Sequence, residues 1–179
     1  AEEGFEMRRD RGWRSGLIAI LLCLTGSCAS GAEGGFRLVW PTPHSGWAEG
    51  KPPSQWLQHA GSGDPASGGF GGVRSGGTRF HEGIDIRPVG RGRNGEATDP
   101  VFAAMAGTVR HVVTSPGQSG YGRHVVIEHT DLAPAIYTLY AHLARVEPGI
   151  RSGVQVIAGK TLGLMGHSSG GYMIPPSRA

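Results

Sequence analysis

Beyond residue 28 the chain has no cysteine, since both of its two, Cys23 and Cys28, fall in an N-terminal segment that reads as a leader. A domain without cysteine has neither disulfides nor thiolate metal ligands, so any metal must be held by His, Asp or Glu. Charge is also sparse: 17% of residues are charged, and the net +3 is scattered along the chain rather than gathered in a basic run. That distribution gives no nucleic-acid site and would at most favour an acidic polymer or an anionic surface. The longest apolar run, Leu17 to Leu24, is eight residues, well short of the ~20 that span a bilayer. No stretch sustains a 3.6-residue period, so the chain is expected to hold at most one short helix. At 179 residues it has room for one domain with a real core.

The leader is legible from its parts. Met7 is followed by Arg8, Arg9, Arg11 and Arg14, then by the apolar run, then by small residues from Gly26 to Ala32. Positive, apolar and small-residue regions in that order describe a secretory signal peptide. Cleavage after Ser30-Gly31-Ala32 would start the mature protein at Glu33, in the periplasm, the cell envelope or the medium. An alternative acylates Cys28 as in a lipoprotein, although Thr25 stands where such signals usually carry Leu. The six residues before Met7 read as sequence upstream of the true start.

Glycine and proline are abundant, together filling 44 of the 179 positions, and both interrupt helices. Phe36 to Trp40 is a short strand candidate ended by Pro41 and Pro43. Residues 44–79 are rich in Gly, Ser and Pro and read as a long surface loop, of a length that is usually functional or mobile. From Phe80 to about Met173 the pattern is β throughout. The runs around Ile84 and Ile86, Val101 to Val113, Tyr121 to His129, Ile136 to Leu143 and Val154 to Met165 are each bounded by Gly, Pro, Asp or Ser. The expected fold is all-β, a folded antiparallel sheet or sandwich.

Within Arg79-Phe80-His81-Glu82-Gly83-Ile84-Asp85-Ile86, a His and an Asp stand four residues apart. Gly83 between them and Pro88 beyond argue against a helix. On a straight strand the two Cα atoms would lie roughly 13 Å apart, too far for two ligands each ~2.0–2.2 Å from one zinc. A bend at Gly83, with His81 on the loop and Asp85 opening a strand, would turn both side chains to one point. Taken alone, the pattern reads equally well as an exposed loop histidine and a turn-capping aspartate.

The residues downstream of the pair change its weight. Asp99-Pro-Val-Phe-Ala-Ala-Met-Ala-Gly-Thr-Val109 comes next, then Gly120-Tyr-Gly-Arg-His-Val-Val-Ile-Glu-His129, Tyr140-Ala-His-Leu143, and Gly166-His-Ser-Ser-Gly170. In order and distance this series resembles the lysostaphin-type (LytM-like) zinc metallopeptidases, which cut peptide bonds in bacterial peptidoglycan. The resemblance covers roughly residues 78–171. It implies that His81 and Asp85 are zinc ligands and that His142 is a catalytic histidine beside the metal. A zinc with three protein ligands keeps one position for an activated water, which a nearby imidazole can orient or deprotonate. The substrate implied is a peptidoglycan stem peptide or cross-bridge.

The family's last motif, His-x-His, occurs nowhere in the chain. The expectation is a polypeptide that breaks off before that motif, with two of three ligands and little activity of its own. Among the remaining histidines, His129 is expected in a structural role and His111 and His124 facing solvent. His167 is the best placed to reach the metal by rearrangement, and nothing marks His44 or His59. Trp40, Trp47 and Trp56 could bind glycan or peptide, or simply pack locally. A different class remains open: a non-catalytic LytM-like domain that binds peptidoglycan or activates a cell-wall amidase. A weaker alternative is a metallopeptidase acting on a protein outside the wall.

Overall fold

The structure, a computed structural model, describes residues 38–59, 64–74 and 77–170. The leader and residues 171–179 lie outside them. The fold is all-β, and every named strand pair is antiparallel. Among the described residues nine strands run in chain order: β1 (Val73–Arg74), β2 (Arg79–Phe80), β3 (Pro100–Phe102), β4 (Gly107–Val113), β5 (Arg123–His129), β6 (Ile136–Leu143), β7 (Arg145–Val146), β8 (Gln155–Val156) and β9 (Thr161–Leu164). They form a β1-β2 ribbon, a three-stranded sheet ordered β3-β9-β7 and a four-stranded sheet ordered β6-β5-β4-β8. The one α-helix among the described residues, α1 (Pro53–Trp56), is a single turn. No helix among them is long and apolar enough to cross a membrane.

Alternation on β5 builds the core. Val125, Ile127 and His129 all point inward, the first two with no exposed surface. Val109 of β4, Leu143 of β6 and Leu162 of β9 close over them, each such side chain contributing about 1.5–3 kcal/mol of burial. Two sets of polar contacts sit at this core. The Ala104 amide donates to the Tyr140 hydroxyl at 2.7 Å. Thr138 Oγ1 lies 2.8 Å from His129 Nε2, and His129 Nδ1 donates to the Ala106 carbonyl at 2.7 Å. His129 is thus a structural residue with both ring nitrogens satisfied, and burial pushes the Tyr140 phenol above its usual pKa.

Three sequence expectations need correction. Leu38 to Trp40 form no strand; Pro41 and Pro43 cut the segment short, and only the Val39 amide reaches the core, bonding the Ala104 carbonyl. Residues 44–79 are more than a loop, for they hold α1, a 3₁₀ turn at Pro65–Gly68 and β1. His124 is buried, only 6% exposed, whereas His111 is exposed. The cause is a pair of bulges, because β4 shifts register between Val109 and His111 and the β5–β6 pairing shifts between Arg123 and Val125. Each bulge resets which face a residue occupies, so simple alternation fails there.

Removing the phenol oxygen in Tyr140→Phe orphans the Ala104 amide in the core. The variant is expected to lose about 1–3 kcal/mol in urea unfolding, a loss that Phe's similar volume cannot supply by itself. An unchanged midpoint would show that the Ala104–Tyr140 hydrogen bond does not stabilise the fold.

Candidate metal centre

The chain bends at Glu82 and Gly83, and the bend brings His81 Nε2 to 3.3 Å from Asp85 Oδ1. Two ligands held ~2.0–2.2 Å from one tetrahedral ion lie about 3.3–3.6 Å apart, so the pair fits a shared zinc. The ring orientation fits as well. His81 Nδ1 donates to the Gly69 carbonyl at 3.1 Å, which leaves Nε2 as the nitrogen that faces Asp85 and that a metal would take. On the other side of the carboxylate, Arg74 of β1 pairs with Asp85 Oδ2. The same guanidinium donates twice to the Ser67 carbonyl, at 3.2 and 3.0 Å. Arg74 thereby holds Asp85 by one oxygen and leaves the other facing His81.

The backbone that fixes this bend comes from the glycine-rich stretch upstream. Gly71 N and Gly72 O bond the His81 main chain, Asp85 N donates to the Gly68 carbonyl, and Gln58 N donates to the Asp85 carbonyl. Leu57 forms a single bridge with Ile86. A Cβ at Gly68 would sit 2.4 Å from the Gln58 oxygen, and one at Gly72 would sit 2.8 Å from the Ala66 oxygen. Only glycine lets these segments approach so closely.

His142 sits where β6 carries its extra residue: Arg123 pairs with Leu143, yet Val125 pairs with Tyr140. It is the only non-glycine among the described residues with positive φ, at 57°, a conformation that costs a non-glycine residue about 1–2 kcal/mol. A bulge re-aims a side chain, and here the ring is then fixed. His142 Nδ1 donates to the Ser168 carbonyl at 2.8 Å, leaving Nε2 free. Ser168 itself is braced, its hydroxyl donating to the Leu143 carbonyl at 2.7 Å and accepting from the Arg123 amide at 2.9 Å. Gly122 has a φ of +60°, and a Cβ there would stand 2.1 Å from the Ser168 oxygen, so glycine lets the 166–170 loop close on β5.

Tyr121 links the two halves. Its hydroxyl donates to Glu82 Oε2 at 2.5 Å, and its carbonyl accepts from the His142 amide at 2.8 Å. The loop carrying His81 and the strand end carrying His142 are thus bound to one residue. That Glu82 hydrogen bond is the chief reason the Tyr121 phenol titrates above its usual value.

Two other histidines make contacts away from this pair. His167 Nδ1 lies 2.9 Å from Glu96 Oε2, in a cleft of about 280 Å³ that Arg123, Ala144 and Ser168 also line. His44 Nδ1 accepts from the Gly46 amide. Among the described residues no group of three or more His, Cys, Asp or Glu side chains forms a metal site. The His81–Asp85 pair could thus fill two positions of a metal shell. Sequence reasoning missed Arg74, Tyr121 and Ser168, none of which stands in the His-x-x-x-Asp segment.

Antiparallel β-sheets presenting a His–Asp donor pair and an oriented imidazole are the makings of a metallopeptidase-type hydrolase, and comparison with family models agrees. Residues 79–175 match the model of peptidase family M23. The match covers more than half of the chain, and the chain belongs to that family. No curated protein and no solved structure matches it.

Two predictions test this geometry. If His142 is strained, His142→Gly will be more stable than His142→Ala by about 1 kcal/mol in denaturant unfolding, the reverse of the usual strand preference. Equal stabilities would dismiss the strain. For Asp85, burial alone pushes the carboxyl up, but the His81 hydrogen bond and charge and the Arg74 pairing outweigh it, so the net pKa lies below 3.8. A depressed pKa stabilises the fold above the unfolded value and loses that contribution as pH falls through the folded one. Arg74→Met is expected to move the Asp85 midpoint upward in a carboxyl-carbon NMR titration of metal-free protein.

Proposed function

We propose that the protein is a zinc-dependent endopeptidase that hydrolyses peptide bonds of bacterial peptidoglycan, exported to the cell envelope. The observation that carries this is the His81–Asp85 pair, whose 3.3 Å spacing suits two ligands of one tetrahedral ion. His81 and Asp85 would hold the metal. The chemistry zinc supplies when bound is a water of lowered pKa and polarisation of the scissile carbonyl.

The remaining work falls to the chain's own side chains. The Gly69 carbonyl holds a proton on His81 Nδ1 and so keeps Nε2 a donor atom. Arg74 keeps Asp85 ionised and turned toward His81. The Ser168 carbonyl fixes the His142 tautomer with Nε2 unprotonated, so that this nitrogen can take a proton from the attacking water and return it to the leaving amine. An extended peptide is the substrate suited to such a site between strand ends and loops.

One observation favours a second reading, a non-catalytic domain that binds peptidoglycan or activates an amidase. Among the described residues no third His, Cys, Asp or Glu joins His81 and Asp85. The deciding experiment combines zinc titration with peptide release from purified sacculi. The leading reading expects about one zinc per chain, peptide release, and loss of both in His81→Ala. Undiminished digestion by that variant would overturn it. Retention on sacculi with neither zinc uptake nor peptide release would establish the second reading instead.

A further inference from the structure

Three tryptophans that the sequence separates by turns meet in one cluster. Trp40 and Trp47 lie face to face, with centroids 5.2 Å apart and planes 1° from parallel. Trp56 meets Trp40 edge-on at 5.7 Å and 85°. The arrangement is held from several sides. A turn over residues 45–51 closes through Glu49 N to Ser45 O and Lys51 N to Gly46 O, and Trp56 Nε1 donates to the Lys51 carbonyl at 3.1 Å. Gly46 has no space for a Cβ, which would stand 2.9 Å from Trp56 Cβ and from the His44 ring. Yet Trp47 remains 59% exposed. Since Trp40 covers one face of that indole, the exposure is the opposite face and the rim.

The cluster is joined to the candidate metal centre through the backbone. Arg87 N donates to the Trp56 carbonyl and Gln58 N to the Asp85 carbonyl, both at 2.8 Å. Trp56 is therefore laddered to the residues just after Asp85. A polymer whose peptide lay at Asp85 would pass its glycan over nearby surface.

We propose that the Trp40–Trp47–Trp56 cluster is a platform for a sugar ring of the peptidoglycan glycan chain, stacked on the outer face of Trp47. This inference rests on the peptidoglycan reading of the site above. An indole face carries the negative end of its quadrupole, which attracts the weakly positive C–H face of a pyranose. The sugar's equatorial hydroxyl and amide groups need polar partners nearby, and the Lys51–Glu49 pair of the same 45–51 turn offers both signs, at 2.6 Å with each side chain about half exposed. A flat, rigid aromatic face with a few polar neighbours is what a ring-shaped ligand requires. A lipid surface would instead call for a basic, uncompensated rim, and Lys51 here is paired.

The test titrates the chain by calorimetry with chitotetraose, and separately with glycan strands freed of their stem peptides. Both are expected to bind. Trp47→Ala should weaken binding about tenfold or more, the loss typical of a central aromatic contact, while Trp47→Phe should stay within about threefold because it keeps a ring face. Trp47→Ala should melt only modestly earlier, through its lost stack on Trp40, with Trp47→Phe nearer wild type and both folded at the titration temperature, and His81→Ala should bind sugar as the wild type does. Absence of sugar binding, or equal affinity in Trp47→Ala, overturns the proposal. Binding to phosphatidylglycerol vesicles that Trp47→Ala abolishes, without sugar binding, also overturns it and assigns the patch to lipid. The two failures separate cleanly. Sacculus digestion without sugar binding removes the platform and spares the peptidase reading; sugar binding without digestion does the reverse.

Discussion

Two side chains four residues apart on an extended chain cannot reach one point unless the backbone between them is bent and kept bent. The rest of the site depends on how this protein meets that constraint. Gly83 permits the turn, but one flexible residue cannot hold it against the conformational entropy it would regain by opening. The hold is external. Main-chain bonds from Gln58, Gly68, Gly71 and Gly72 grip His81 and Asp85 from the upstream segment, and Asp99 accepts from the Val89 and Gly90 amides just beyond. The ligand pair is thus an inner turn clamped between two outer ones.

A similar logic places His142, at a higher local cost. Its bulge and its φ of 57° put a β-favouring segment into a conformation that is tolerated only when the surroundings over-determine it. They do so here through the Tyr121 carbonyl, the Ser168 carbonyl and the close approach at Gly122. The Gly-His-Ser-Ser-Gly loop therefore acts on His142 from behind. Tyr121, reaching Glu82 with its hydroxyl, makes the two clamps one mechanical unit.

Much of this was legible in the sequence, and the parts that were not share a cause. The strands at residues 107–113, 123–129 and 136–143 announce themselves by β-branched runs between turn residues, and the bend at Gly83 follows from geometry alone. His129 could be read as structural from its place at a strand end. His124 could not, because bulges at residues 109–111 and opposite 123–125 break the period of two on which face assignment relies. Residues 44–79 concealed the most. Glycines that serve close backbone approach leave no periodic signal, and Arg74 reaches Asp85 across a turn that local pattern cannot foresee. Nor does spacing show that Trp40, Trp47 and Trp56 stack, for that contact is made by tertiary packing.

The clamps around His81, Asp85 and His142 consist of protein hydrogen bonds and one ion pair. In small zinc modules, by contrast, the ion supplies the folding free energy and its removal unfolds the chain. Here a buried β-core with the Ala104–Tyr140 and Thr138–His129–Ala106 hydrogen bonds holds the fold, and the candidate ligand pair is preorganised on top of it. Such a scaffold can gain or lose a third ligand with little effect on its sheets or on the aromatic cluster laddered to Asp85. On the reading proposed above, hydrolysis and sugar binding would for that reason be separable: the first would need a complete metal shell, the second only the surfaces that the same backbone clamps keep in place.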